Sequence, residues 1–312
     1  MKIPSIKNAL LFLLKDRNQF LDSCLNNLGF LLSDKIYLTL KYRLKMHQWI
    51  NWNNPRTFTE KIQWLKVNGF RPEYTNLVDK FAVKEFVAKK IGVQYVVPTI
   101  GVWESVDDID WDSLPNQFVL KTTHGGGGCG VVLCKNIKQF DRDSACRKLR
   151  RSMKITDGAI FREHPYENVH KRIIAEELLT DYEDKECDED CDLADYKFYC
   201  FNGTPKYCQV IRDRRKKETI DFYDMKWNHM PFVGLNPDAS NGEISVKKPL
   251  LLDTMIDICK RLSEGMPFSR IDVYFVNNKI YFGEITLYPA SGFGEFSPSE
   301  WNMKLGDLLI LR

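Results

Sequence analysis

Apolar and polar positions alternate with a helical period over the first part of this chain and with a strand period over much of the rest. Phe58, Ile62 and Leu65 fall on one helical face. Thr57-Phe58-Thr59-Glu60 has the form of a capping box that starts this helix. A second helix is expected from Asn76 to Lys90, burying Val78, Phe81, Ala82 and Val87 and ending before Gly92. Short strands follow at Tyr95 to Val97, Gly101 to Trp103, Gln117 to Lys121 and Val131 to Cys134, and residues 141 to 153 return to helix. From Arg172 onward the pattern is mainly β. Ile173 to Leu179 reads as a strand running into a hinge, and Tyr196 to Phe201 and Tyr207 to Ile211 read as a hairpin across Asn202-Gly203. Leu250 to Glu264 is an amphipathic helix, and a last hairpin runs from Arg270 to Thr286. No internal repeat is visible, and this order of elements gives an α+β protein of several lobes.

The last hairpin brings in chemistry. Asp272 and Glu284 are twelve residues apart, so a three-residue loop of Asn277, Asn278 and Lys279 sets them opposite each other on one face, whereas a two-residue turn does not. Opposed side chains there lie about 4.5 to 5.5 Å apart at Cβ, and two like charges repel. A cation between them relieves this, and Mg²⁺ prefers such oxygens together with substrate phosphates. The alternative is a pair of solvated acids. Arg270 shares the strand face of Asp272 at period two.

Composition narrows the classes. At 312 residues the chain buries a core of two or three lobes, and its net charge of +3 argues against a dedicated nucleic-acid partner. Nine scattered cysteines fit reduced thiols in a cytoplasmic protein, and Cys129, Cys134, Cys187 and Cys191 make no zinc pattern. The apolar run Ala9 to Leu14 is too short to span a bilayer and lacks a cleavage site after it. It reads as an amphipathic helix on the body of the protein, with peripheral contact with a membrane-bound assembly at the inner face of the membrane as the other option.

The segment FVLKTTHGGGGCGVVLC puts Lys121 at a strand end, then Gly125, Gly126, Gly127 and Gly128, then a further strand. A dinucleotide fingerprint must open a helix and a Walker loop needs GK[ST], so both are rejected. What remains is a flap whose amides approach phosphates, or a merely flexible hairpin tip. Glu176-Glu177-Leu178-Leu179 is a candidate adenine hinge, and solvated acids are its ordinary reading. Lys80, Lys197 and Lys226 are further basic candidates, each ordinarily solvated, and the run Arg212 to Lys217 reads as a solvated loop.

Taken in order, NPRTFTEKIQWLK, DKFAVKEFV, LPNQFVLKTTHGGG, DYKFYCFNG and GEITLYPASGF resemble the ATP-grasp superfamily, and over residues 57 to 300 its TupA-like branch, associated with capsular and teichuronopeptide polysaccharide synthesis. The resemblance implies two α+β lobes clasping ATP behind a helical N-terminal region. Its divisions are 1–74 helical, 75–115 a first α/β segment, 116–172 a lid with the flap, and 173–312 a C-terminal subdomain with the metal hairpin. Lys80 and Lys121 would reach the nucleotide phosphates, with Gly125 to Gly128 over them. Glu176 would bind the adenine amine, with Glu177 beside it and Leu178 and Leu179 supplying hinge backbone. Lys197 would face the cleft, and Lys226 the phosphates. Arg270 would steady an acyl phosphate or tetrahedral intermediate, and Asp272 and Glu284 would hold two Mg²⁺ ions. Thr286 stands where many members carry a metal-binding asparagine; its hydroxyl can still ligate. Tyr288, Ser291 and Gly292 would border the acceptor.

The implied activity is ATP-dependent amide formation between an amine or amino acid and a hexuronic acid carboxylate of a sugar or glycan precursor, in capsular or cell-surface polysaccharide synthesis. Two other classes compete. A metal-dependent glycosyltransferase would use Asp108-Ile109-Asp110 or Asp188-Glu189-Asp190 on a diphosphate. An inactive nucleotide-binding module in a polysaccharide assembly is the second, against which the intact Lys80, Lys121, Asp272 and Glu284 stand.

Overall fold

The computed structural model of the chain describes residues 17–126, 128–155, 157–180, 193–212, 218–236 and 238–311. The apolar run Ala9 to Leu14 and the acidic run with Cys187, Asp188, Glu189, Asp190 and Cys191 lie outside them. Helices α1 (Arg17–Leu28) and α2 (Asp34–Met46) precede α3 (Phe58–Asn68). The capping box at the start of α3 is formed: the Glu60 amide donates to Thr57 Oγ1 at 3.3 Å and the Thr57 amide to Glu60 Oε2 at 3.0 Å. The single helix expected over 76–90 is instead two, α4 (Tyr74–Val78) and α5 (Val83–Ile91). Asp79 divides them, because its carboxylate accepts from the amides of Phe81 at 2.8 Å and Ala82 at 3.1 Å and so starts a new helix.

A four-stranded antiparallel sheet of order β1-β4-β2-β3 follows, built from β1 (Thr99–Trp103), β2 (Phe118–Thr122), β3 (Val131–Cys134) and β4 (Ile173–Glu176). The strand expected at Tyr95 to Val97 is absent; Val93–Tyr95 closes as a short 3₁₀ turn behind Gly92, whose φ of 118° ends α5. Helix α6 (Arg142–Met153), capped by Asp141, packs on this sheet, and Leu149, Phe118, Leu120, Ile173 and Ala175 share its small core. Two short helices, α7 (Asp157–Phe161) and α8 (His164–Glu167), lead back to β4.

The second sheet is larger. Its order is β11-β10-β5-β6-β7-β8, from β5 (Asp195–Phe201), β6 (Thr204–Arg212), β7 (Thr219–Asp224), β8 (His229–Met230), β10 (Phe268–Val276) and β11 (Lys279–Thr286). The β5–β6 turn is Asn202-Gly203, both at positive φ as a two-residue hairpin demands. A small ribbon pairs β9 (Val233–Gly234) with β12 (Phe296–Ser297). Helices α9 (Leu252–Leu262) and α10 (Glu300–Leu308) pack on the large sheet, and α3 joins the same core, with Phe58 edge-on to Phe268 at 5.0 Å. No helix among the described residues is long and apolar enough to cross a membrane.

Candidate active site

The β10–β11 turn is not the three-residue loop that parity demanded. Val276 pairs with Lys279, leaving Asn277-Asn278 as a two-residue turn at φ 49° and 59°. The ladder then shifts by one residue between Asp272 and Val273, so Val273 pairs with Phe282 and Asp272 with Glu284. Gly283 is the residue left over, a β-bulge that reverses the parity of the turn. The two acids therefore face each other as expected, by a different construction.

Around them the sheet assembles cations. Lys197 on β5 lies beside Asp272 in register, its ammonium on Asp272 Oδ2 and 3.4 Å from Asp195. Arg270 donates from Nε to Asp272 Oδ1 at 2.7 Å and from Nη2 to Asp272 Oδ2 at 2.8 Å, Glu284 Oε1 at 3.0 Å and Thr286 Oγ1 at 3.0 Å. Thr286 donates to Glu284 Oε1 at 3.2 Å. Burial pushes the Asp272 carboxyl up despite Arg270 and Lys197. Burial acts on Glu284 in the same sense, but Lys80, Arg270 and Lys197 outweigh it and hold that carboxyl at about 2. Among the described residues no group of three or more His, Cys, Asp or Glu could hold a metal ion. Two carboxylates and a hydroxyl fit a hard divalent ion that draws its remaining oxygens from phosphate and water.

Lys80 ties the two sheets together. Its amide donates to Thr123 O at 3.0 Å, its ammonium donates to Gly125 O, and Glu284 Oε2 lies 3.8 Å away. Asp79 fixes its neighbour by pairing with Arg172 at 3.0 Å. The glycine segment joins β2 to β3 as a flap: Gly125 is half-buried, Gly126 and Gly128 are exposed, and Gly127 lies outside the described residues. Gly128 has φ 75°, a conformation side chains rarely adopt. At the end of β4, Glu176 is buried and ion-paired, Oε2 with Lys121 at 2.5 Å and Oε1 with Lys84 at 2.5 Å. Burial would raise its carboxyl, and Lys121 followed by Lys84 reverse this and lower it. Glu177 is exposed with its amide on Pro98 O at 3.2 Å, and Leu178 and Leu179 continue as half-buried coil. Asn277 Nδ2 donates to Thr180 O at 2.8 Å, joining the hairpin turn to this hinge.

Beyond β11, Ala290, Ser291 and Gly292 all have positive φ, 46°, 53° and 66°. Two donors from α3 hold this left-handed loop: Gln63 Nε2 reaches Ser291 O at 2.9 Å and Gly292 O at 3.0 Å, and Lys66 Nζ reaches Ser291 O at 2.8 Å. Lys66 is fully buried, 3.3 Å from Glu163, with Tyr288 walling the same space. Lys226 stands apart, exposed in the β7–β8 turn with its amide on Asp224. Asp108 caps its own short turn at Ser105, and Asp110 accepts from the Asp112 amide, so each acid of that candidate diphosphate motif is engaged within its own turn. Lys84, Gln63, Lys66 and Glu163 escaped the sequence reading. The available signal was position: Gln63 and Lys66 flank the apolar stripe of α3, and Lys84 that of α5, where a solvated lysine does not belong.

A family model described as TupA-like ATPgrasp matches residues 60–310. No curated protein matches the chain. Among solved structures it is similar to the D-alanine–D-alanine ligase from Bacillus anthracis complexed with ATP (13% identity, TM-score 0.42, covering 79% of this chain and 65% of that one). It is also similar to the D-alanine–D-alanine ligase from Coxiella burnetii (14%, 0.40, 80% and 59%). A third is the ATP-grasp ligase PsnB complexed with minimal precursor (12%, 0.38, 69% and 54%). The chain thus spans less than two thirds of the length of each of these.

Proposed function

The chain belongs to the TupA-like ATP-grasp family, and we propose that it is an ATP-dependent carboxylate–amine ligase. The observation that carries this reading is the opposed pair Asp272 and Glu284, ringed by Arg270, Lys197 and Thr286 and bridged by Lys80 to the flap carbonyl of Gly125. In this reading Lys80, Lys121 and the flap receive the triphosphate. Asp272, Glu284 and Thr286 would hold Mg²⁺, which neutralises charge on the transferring phosphoryl group when bound. The hinge from Glu176 to Leu179 receives the adenine.

A substrate carboxylate oxygen attacks the γ-phosphorus, the bond to ADP breaks, and an acyl phosphate forms. An amine then attacks the acyl carbon, phosphate leaves with the electrons of the C–O bond, and the amine gives up a proton. Arg270, held by three oxygen-bearing side chains, is fixed in place to face the oxyanion as it develops. Ser291 and Tyr288 border the acceptor, and we assign the carboxylate to a hexuronic acid of a glycan precursor.

Purified protein with ATP, Mg²⁺ and a panel of uronic acids and amines tests this. ADP and phosphate release that requires both an acid and an amine is the expected result. Release of UDP from a sugar nucleotide without ATP turnover would replace ligation by glycosyl transfer.

A further inference from the structure

Glu176 carries two lysines, and they are held differently. Lys84 Nζ uses all three of its donor positions: Glu176 Oε1 at 2.5 Å, Val97 O at 2.8 Å and Thr99 Oγ1 at 2.7 Å. It therefore fastens α5 to β1 and β4 at once, and its side chain is 13% exposed. Lys121 meets the other oxygen of the same carboxylate at 2.5 Å from a more open position, 24% exposed, at the root of the glycine flap.

Moving Lys121 away would have a cost set by what remains on Glu176. That side chain is only 6% exposed, and a carboxylate so buried is strongly destabilising without a partner. With Lys84 in place the carboxylate keeps a counter-ion and stays ionised.

We propose that Lys84 is a positioning residue of the nucleotide site: it stays on Glu176 as its permanent counter-ion, so that Lys121 can leave this carboxylate for the phosphates of a bound nucleotide. The inference rests on the reading of the cleft as a nucleotide site. Without Lys84, Glu176 retains Lys121, and a nucleotide must compete with a buried carboxylate for it. Lys84 acts through Lys121 and Glu176 and need not touch the ligand.

Calorimetric titration with Mg·ADP, on variants checked for folding by circular dichroism, reads this directly. Lys84→Met is expected to weaken Mg·ADP binding by at least about tenfold, the scale set by stranding a buried charge. Lys84→Met/Glu176→Gln is expected to bind within about threefold of Glu176→Gln alone, because no buried carboxylate is left to hold Lys121. A loss of packing alone shifts the melting temperature and leaves affinity in the folded protein unchanged. Thermal unfolding supplies the second arm. Lys121→Met is expected to melt close to wild type while Lys84→Met, still folded, melts well below it. Equal melting losses, wild-type affinity in Lys84→Met, or a double variant that binds about tenfold more weakly than Glu176→Gln would each overturn the proposal. A wild-type protein that does not bind Mg·ADP would overturn the nucleotide site itself, an outcome distinct from a wild type that binds and a Lys84→Met variant that binds equally.

Discussion

Gly283 has no functional side chain, yet it decides which face of the hairpin presents Glu284. A Cβ at this position would meet the Asp272 carbonyl and the Tyr274 ring, each at 3.1 Å, so the bulge suits the smallest residue. Deleting Gly283 removes the left-over residue, so behind the same two-residue turn an unbroken ladder still pairs Asp272 with Glu284 and Arg270 with Thr286. That variant is expected to keep Mg·ADP binding in calorimetry. Gly283→Val crowds the bulge; in an unbroken ladder position 283 then stands opposite Asp272 and Glu284 turns to the other face, so binding is expected to be lost. Equal binding by both variants would break the link between register and site. At this scale the sequence exposed the acids, Arg270 and the flap glycines, because those residue types are chemically conspicuous. It hid the bulge, since one glycine in a strand does not announce a register shift, and it hid Lys66 and Lys84, since a lysine in a sequence is by default solvated.

Helix α3 is the element whose role changed most. Its apolar stripe was readable, and so was its capping box, both being local. Its polar edge was not, because Gln63 and Lys66 answer to carbonyls more than two hundred residues away. Ala290 and Ser291 are non-glycine residues in left-handed conformations that cost roughly 1–3 kcal/mol each and persist only when their surroundings hold them. Burial lowers the Lys66 ammonium from 10.5 to about 8, in spite of Glu163. Between these values the unfolded chain binds the proton that the folded one has released, so this lysine makes stability rise with pH from about 8 to 10.5. Denaturant titrations of wild type and Lys66→Met across that window, subtracted one from the other, should show the rise. A flat or falling difference would contradict it. Element by element, the strands of the two hairpins and helices α3, α6 and α9 were legible from periodicity, whereas the break at Asp79 depended on a capping side chain that interrupts no apolar pattern.

At the scale of the whole molecule the site belongs to neither sheet alone. Lys121, Glu176 and the flap come from the four-stranded sheet, Asp272, Glu284 and Lys197 from the six-stranded one, and Lys80 spans them. The α+β class followed from the order of elements. The strand order did not, because β10 lies between its hairpin partner β11 and the distant β5, and periodicity carries no information on such pairings. That pairing is what sets Lys197 beside Asp272. The proposed ligase passes the γ-phosphoryl group to a carboxylate oxygen, and the most direct measurement follows that oxygen. With a uronic acid whose carboxylate carries a heavy-oxygen label, together with ATP, Mg²⁺ and an amine, mass spectrometry of the released phosphate should find one labelled oxygen for each amide formed. Unlabelled phosphate alongside amide formation, or release of AMP and pyrophosphate in place of ADP and phosphate, would contradict the acyl-phosphate account.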